Sequence, residues 1–358
     1  MTKPTAFQPG LLRRMDPPPE KIVILRASRI GDFLNAQPAF RAIKFATPNA
    51  RVSLITVSSL MELAHRLPMV DEVFEFPGYP GLAEQLFNPV NTVEFFSLMQ
   101  TKKFDLAIQL QGTGVHSNPF MLMLGARATA GFIRSDDPPG LLNAALPWPE
   151  TGHEIDRVLS LPTFLGAGPA SKQIIFPIST KEHHTARQWL APLKRPLIGL
   201  HTNARDLTRR WSLVNFVHAA RQLSGLTGGS IILLGEPGDG RAFLEETSTL
   251  SGSVVDLSGK TTITMLGAVL AELDLFITND TGPAHIAYAL NTPTLTIFGS
   301  GDPTRNGPMR PGPFRLLVHP VECRPCEYTH CPIGFACLNA ISVENVVSQA
   351  VDILKNCA

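Results

Sequence analysis

The sequence predicts an α/β protein of two doubly wound, Rossmann-like units, and three observations carry that expectation. Short β-branched runs alternate with segments of helical apolar spacing, the rhythm occurs twice, and small residues with proline break it once, at "LGAGPASKQIIFPIS" (Leu165 to Ser179). At 358 residues the chain also exceeds the usual domain size of roughly 100–200 residues, so two ordinary cores are expected.

The first unit opens with "KIVILRAS" (Lys21 to Ser28), a run suited to a buried parallel strand, and "GDFLNAQPAFRAIKFATP" follows with helical spacing. The alternation continues through "RVSLITV", "MELAHRL", "DEVFEF", "TVEFFSLMQTKK", "FDLAIQLQ", "NPFMLMLGAR" and "ATAGFI". The second unit restarts at "RPLIGLHT" and runs through "SLVNFVHAARQL", "GSIILLGEPG", "RAFLEETSTL", "SVVDLSG", "TMLGAVLAELD", "LFITND", "GPAHIAYAL" and "TPTLTIFG". The expected organisation is a flexible arm over residues 1–20, an N-terminal domain over 21–172, a C-terminal domain over 173–345 and a C-terminal helix over 346–358. Such sheets gather ligands beyond the carboxyl ends of their strands, and two facing units enclose a cleft. The informative residues should therefore follow strands directly.

Composition narrows the function classes. With 31 basic and 30 acidic residues the net charge is +1, so there is no general electrostatic reason to expect nucleic acid. The first 20 residues lack the apolar core of a signal peptide, and the most apolar uncharged window, "SNPFMLMLGA", is half the roughly 20 residues a membrane span needs. A soluble, cytoplasmic chain is expected. No G-x-G-x-x-G follows the first strand and no G-x-x-x-x-G-K-[ST] occurs, which disfavours a simple dinucleotide dehydrogenase or P-loop NTPase.

In "RASRIGDFLNAQPAF", Asp32 sits where the first strand gives way to a helix. It reads either as an ordinary helix cap or as a general base that takes a proton from an attacking hydroxyl. Arg26 and Arg29 beside it either bind an acceptor phosphate or sit in solvent. "NDTGPAH" repeats the strand-to-helix logic in the second half, with a turn whose N–H groups can face an anion. Asp280 would repel phosphate there, so it is expected to bond sugar hydroxyls while Thr281, Gly282 and the helix amides meet the phosphates; a capped helix is the plainer alternative. Arg209 and Arg210 in "RRWSLVNF" precede another helix, as a phosphate clamp or a solvated face. Glu236 in "LLGEPGDGR" either accepts from ribose hydroxyls or belongs to a Gly-rich turn.

Taken in order, "RIGDFLNAQPAFRAIK", "RRWSLVNF", "NDTGPAHIAYALNTPTLTIFG" and "CRPCEYTHCPIGFACL" resemble glycosyltransferase family 9, the bacterial heptosyltransferases of the lipopolysaccharide inner core, over about Lys21 to Val351. The resemblance implies a GT-B fold and inverting transfer from ADP-heptose to a core glycolipid, with Asp32 as catalytic base and no cofactor in the reaction. It places the donor at Thr202, Arg209, Glu236, Asp280, Thr281, Gly282 and His285, and the acceptor on the N-terminal side with Arg26 and Arg29. It also implies work at the inner membrane face, with peripheral contact. Two alternatives stand beside it: a family 9 transferase using another nucleotide sugar or a protein acceptor, and a non-catalytic sugar-nucleotide-binding protein.

The four cysteines Cys323, Cys326, Cys331 and Cys337 lie within 15 residues. Their spacing suits a closed tetrathiolate site for structural zinc or iron, and equally reduced thiols in a tight loop. Disulfides are disfavoured in a cytosolic chain.

Overall fold

The computed structural model describes residues 5–82, 84–246, 254–326 and 328–357, and the chain divides into two compact units, Met1–Ile175 and Phe176–Ala358. In the first, six strands, β1 (Lys21–Leu25), β2 (Arg51–Thr56), β3 (Glu72–Glu75), β4 (Leu106–Gln109), β5 (Ala128–Ile133) and β6 (Ala144–Pro147), form one parallel sheet in the order β3-β2-β1-β4-β5-β6. The chain winds outward from β1 one way and from β4 the other, so their boundary is the switch point where a ligand crevice forms. Ile22 to Leu25 of β1 are fully buried, as a strand covered on both faces requires.

The second unit repeats the plan with β7 (Leu197–His201), β8 (Ser230–Leu233), β9 (Val254–Asp256), β10 (Leu275–Asn279), β11 (Thr294–Phe298) and β12 (Phe314–Val318), ordered β12-β11-β10-β7-β8-β9. All its pairings are parallel, and its switch point lies between β7 and β10. One core joins Ile198, Leu200, Ile231, Leu275 and Ile297 of the sheet to Trp211, Phe216 and Phe243, and to Val346, Ala350 and Ile353 of the last helix. That helix starts at Val343 and not at 346, because the Ser342 hydroxyl accepts from the Asn345 N–H (3.2 Å) and opens it earlier; it runs to Cys357, and Ala358 lies outside the described residues. The expected "RAFLEETSTL" helix is present as Asp239–Glu245; its residues 247–250, like Ser253 of "SVVDLSG", lie outside the described residues.

The flexible arm expected over residues 1–20 is a correction, for residues 5–20. Leu11 and Leu12 are buried, the Gly10 N–H donates to the Phe164 carbonyl (2.8 Å), and Arg127 holds the Asp16 and Pro17 carbonyls (3.2 and 2.6 Å). Two leucines are too few to stand out in sequence, but the helix Glu154–Leu165 gives them a surface to cover.

Between the units the chain is irregular from residue 167 until Ser179 opens the helix Thr180–Leu190 with a capping box. Within this stretch Ile175 is clasped by Gln37, whose buried amide both donates to the Ile175 carbonyl and accepts from its N–H, each at 2.9 Å. Phe176, the next residue, belongs to the second unit. Its ring lies so close over Gly267 that a Cβ there would come within 2.1 Å of it. Among the described residues no helix is long and apolar enough to cross a membrane.

Candidate active site

Asp32 is the third residue of the helix Ile30–Ala46, which starts just beyond β1, and its side chain is 45% exposed. A carboxylate at this position stands where a doubly wound sheet gathers its ligands, beside the β1/β4 switch point. The expectation that Arg26 binds an acceptor phosphate or faces water is corrected: Arg26 is 2% exposed and faces inward. Its guanidinium donates to the Asp32 main-chain carbonyl from Nε and Nη2 (3.1 and 2.9 Å) and to the Leu110 carbonyl. Nη2 also lies 3.7 Å from the Asp32 carboxylate and 3.8 Å from Glu154. Glu154 in turn holds Arg157 at 2.8 Å, and the Arg157 guanidinium packs on the Trp148 ring. A buried guanidinium needs such opposing charge and carbonyls, so Arg26 fixes the backbone at Asp32 and is closed to a ligand.

Arg29 is different: its side chain is 45% exposed and 3.6 Å from Glu84. Two further groups flank Asp32 in sequence. Ser28 Oγ and Asn35 Nδ2 are buried and make no hydrogen bond among the described residues. Unpaired buried polar atoms are costly, so both keep hydrogen-bonding capacity beside Asp32. Neither is chemically distinctive in sequence, so only burial reveals them.

In the second unit, Thr202, Glu236 and Asp280 all follow the carboxyl ends of adjacent strands β7, β8 and β10. Asn279, fully buried at the end of β10, ties the Thr202 loop and Trp211 to the strand that leads into Asp280. Its amide donates to the Thr202 carbonyl (3.0 Å) across the switch point and its Oδ1 accepts from the Trp211 N–H (2.9 Å). Asp280 is 2% exposed and Arg209 Nη1 stands 3.0 Å from its Oδ2. The two residues expected to serve sugar and phosphate separately are thus one ion pair. The negative charge that would repel a phosphate is balanced in place.

Thr281 is the N-cap of the helix Gly282–Leu290, with Pro283 in the first turn, and its side chain makes no cap hydrogen bond. A helix start left without its side-chain cap presents N–H groups and a positive dipole to an anion. His285 is buried one turn further along, with its ring 6.0 Å from that of Tyr288. Glu236 is exposed; its N–H donates to Asp239, which also receives the Asn203 amide (2.9 and 2.7 Å). Arg210 turns away to the Ala204 carbonyl, so Arg209 alone of the pair reaches Asp280.

The four cysteines come together around a cavity of about 200 Å³, shared with Thr208, Ser300, Tyr328 and Phe335. The tetrathiolate centre expected from their spacing is nevertheless not assembled: among the described residues no group of three or more His, Cys, Asp or Glu side chains is placed to hold a metal ion. Cys331 Sγ is engaged by the Phe335 N–H (3.1 Å), and Cys337 is buried as part of the hydrophobic core. Burial pushes the Cys337 thiol up, with Arg324 and the Leu338 N–H opposing and Cys323 and Cys331 adding to the rise.

A family model for glycosyltransferase family 9 (heptosyltransferase) matches residues 93–335, well over half of the chain. The chain belongs to that family. Among curated relatives of this family 9 chain, the lipopolysaccharide core heptosyltransferase OpsX of Haemophilus influenzae is 22% identical over 300 residues, covering 81% of this chain and 82% of that protein. Lipooligosaccharide heptosyltransferase 2 of Campylobacter jejuni is 36% identical over 104 residues, only 29% of this chain and 33% of that one. Among solved structures, a family 9 glycosyltransferase from Veillonella parvula superposes with a TM-score of 0.79 at 20% identity, covering 94% of this chain and 98% of that one. ADP-heptose LPS heptosyltransferase II of Escherichia coli gives 0.75 at 21%, covering 94% and 99%. The fold is therefore GT-B, and the family 9 enzyme is a glycosyltransferase.

His201 also escaped the sequence reading of this family 9 site. His201 ends β7, buried, with Nδ1 3.3 Å from the Thr278 hydroxyl and 3.4 Å from that of Thr281. Burial pushes its imidazole down from 6.5 to about 4, against the opposing pull of Asp239. The unfolded ring takes a proton near pH 6.5 and the folded ring only near 4, so stability is full above 6.5 and lost as pH falls between the two. The expected loss is about 3 kcal/mol by pH 4. Urea midpoints of wild type and His201→Asn measured across this range should converge as the pH drops; parallel profiles would show that the ring is charged in the fold.

Proposed function

We propose that this family 9 glycosyltransferase moves a heptose from ADP-heptose to a hydroxyl of a lipopolysaccharide inner-core acceptor, inverting the anomeric carbon, with Asp32 as general base. The observation that carries the reading is the pairing of buried Asp280 with the partly exposed Arg209 beside the uncapped start of the helix Gly282–Leu290. A sugar diphosphate needs carboxylate and cation side by side, the one for hydroxyls and the other for phosphate oxygens. The relatives' names supply the rest: one is a lipopolysaccharide core heptosyltransferase and one solved structure is an ADP-heptose heptosyltransferase.

In this mechanism the helix amides, Thr281, Gly282 and Arg209 receive the diphosphate, Asp280 accepts from sugar hydroxyls, and Thr202, Glu236 and His285 line the donor's seat, with the exposed Glu236 at the ribose. Asp32 takes the acceptor hydroxyl's proton as that oxygen attacks C1 of the heptose. The C1–O bond to the diphosphate breaks on the opposite side, which inverts the centre, and ADP leaves with charge that Arg209 and the amides stabilise. Ser28, Arg29 and Asn35 orient the acceptor. No step calls on a metal. Because a core glycolipid is anchored in a bilayer, the enzyme works as a peripheral protein at the inner membrane face.

A thermal-shift screen of ADP-heptose against UDP- and GDP-sugars tests the donor. At a hundredfold excess over Kd, ADP-heptose should stabilise the chain by about 2.7 kcal/mol, or about 5–10 °C. Mass spectrometry of a core acceptor should then show one added heptose. A larger shift with a uridine or guanosine sugar would overturn the assignment.

A further inference from the structure

Among the described residues the cysteine segment holds no assembled metal site, yet it is bonded directly to the loops around Arg209 and Asp280. The Cys326 N–H donates to the Ser300 carbonyl (3.1 Å) and the Arg324 guanidinium to the Gly301 carbonyl (2.7 Å). On the other side, the Thr208 hydroxyl donates to the Tyr328 carbonyl (2.9 Å) and accepts from the Ser300 hydroxyl (3.1 Å), while the Ser300 N–H donates to the Thr208 carbonyl (3.0 Å). Thr208 and Ser300 are each 3% exposed, so these bonds are shielded from water.

The ring closes on the donor residues. Thr208 immediately precedes Arg209, which holds Asp280 at 3.0 Å. The strand-end glycines press from the opposite side: a Cβ on Gly299 would meet the Thr208 carbonyl at 2.1 Å, and one on Gly301 would meet Asp280 Oδ2 at 2.0 Å. There is no slack between the thiol-lined cavity and the carboxylate.

We propose that Thr208 is a positioning residue of the donor site, through which the segment Cys323–Cys337 holds Arg209 against Asp280, so that filling or modifying the thiol cavity lowers donor affinity. The inference rests on the donor assignment above. It gives the cysteines a task that needs no metal: they are the small, apolar lining of a brace.

The test uses the full chain carrying Cys357→Ser, since Cys357 is exposed and outside the cavity. Thr208→Val removes both side-chain hydrogen bonds at constant volume. ADP Kd and donor KM should rise about tenfold, with kcat within about twofold, and Thr208→Ser should restore them. Methyl methanethiosulfonate then converts accessible thiols to methyl disulfides, releasing methanesulfinate. It should weaken ADP binding to the chain with Thr208 and add little in Thr208→Val. Wild-type ADP affinity in Thr208→Val, or equal weakening of both chains by the reagent, would overturn the inference alone. An unmodified chain that bound no ADP at all would overturn the donor reading with it.

Discussion

Asp32→Asn is expected to lower transfer by about 10²–10⁴-fold while leaving ADP binding unchanged. The amide keeps the size and one acceptor oxygen of the carboxylate but cannot take a proton. The change should not disturb the fold, because Arg26 is anchored by the Asp32 main-chain carbonyl and the side chain itself is 45% exposed. Single-turnover transfer with saturating donor isolates the step from product release. If Asp32→Asn turned over at the wild-type rate, the base would have to be sought elsewhere; if ADP affinity fell with it, Asp32 would be acting on the donor.

The second large effect is expected at Arg209. Asp280 is 2% exposed, and taking the guanidinium away from a buried carboxylate commonly costs about 3–5 kcal/mol. Arg209 is itself a third exposed, so Arg209→Ala should cost nearer 2–3 kcal/mol, a drop of about 5–10 °C in melting temperature. Donor affinity should fall in parallel. The double variant Arg209→Ala/Asp280→Asn separates the two roles: removing the second charge should recover much of the stability, but not the affinity, because both donor contacts are then lost. Equal melting of the single and double variants would mean that the pair is not what stabilises this corner.

The strands were legible because a parallel strand covered on both faces must be apolar along its whole length, as Ile22–Leu25 and Leu275–Ile277 are. Asp32, Asp280 and Thr281 were legible for a related reason: polar residues at the junction of strand and helix stand where such sheets bind ligands. Arg26 was not, because an arginine four residues before a helix start reads as surface, and its buried partner Glu154 is far off in sequence. Asn279 and His201 gave no signal of their own, since their roles come from the pairing of β7 with β10. For the cysteines, spacing left a tetrathiolate and reduced thiols both open, and only the structure shows Cys331 engaged by the Phe335 N–H and Cys337 packed in the core. Thr208 became meaningful only through bonds to residues more than ninety positions away.

The Gln37 clasp has a mechanical consequence. A connector of a dozen irregular residues would ordinarily spread any turning over many torsions. Here Ile175 is gripped by the helix that begins beside Asp32, and Phe176 is seated over Gly267 in the other unit. The passage from one unit to the other is therefore concentrated in a single peptide link, with the long stretch before it fastened as part of the first unit. Each end of this link is held within its own unit, so a residue inserted between Ile175 and Phe176 would leave both the Gln37 clasp and the Phe176 seat intact, whereas the same residue just before Ile175 would have to be accommodated against the clasp.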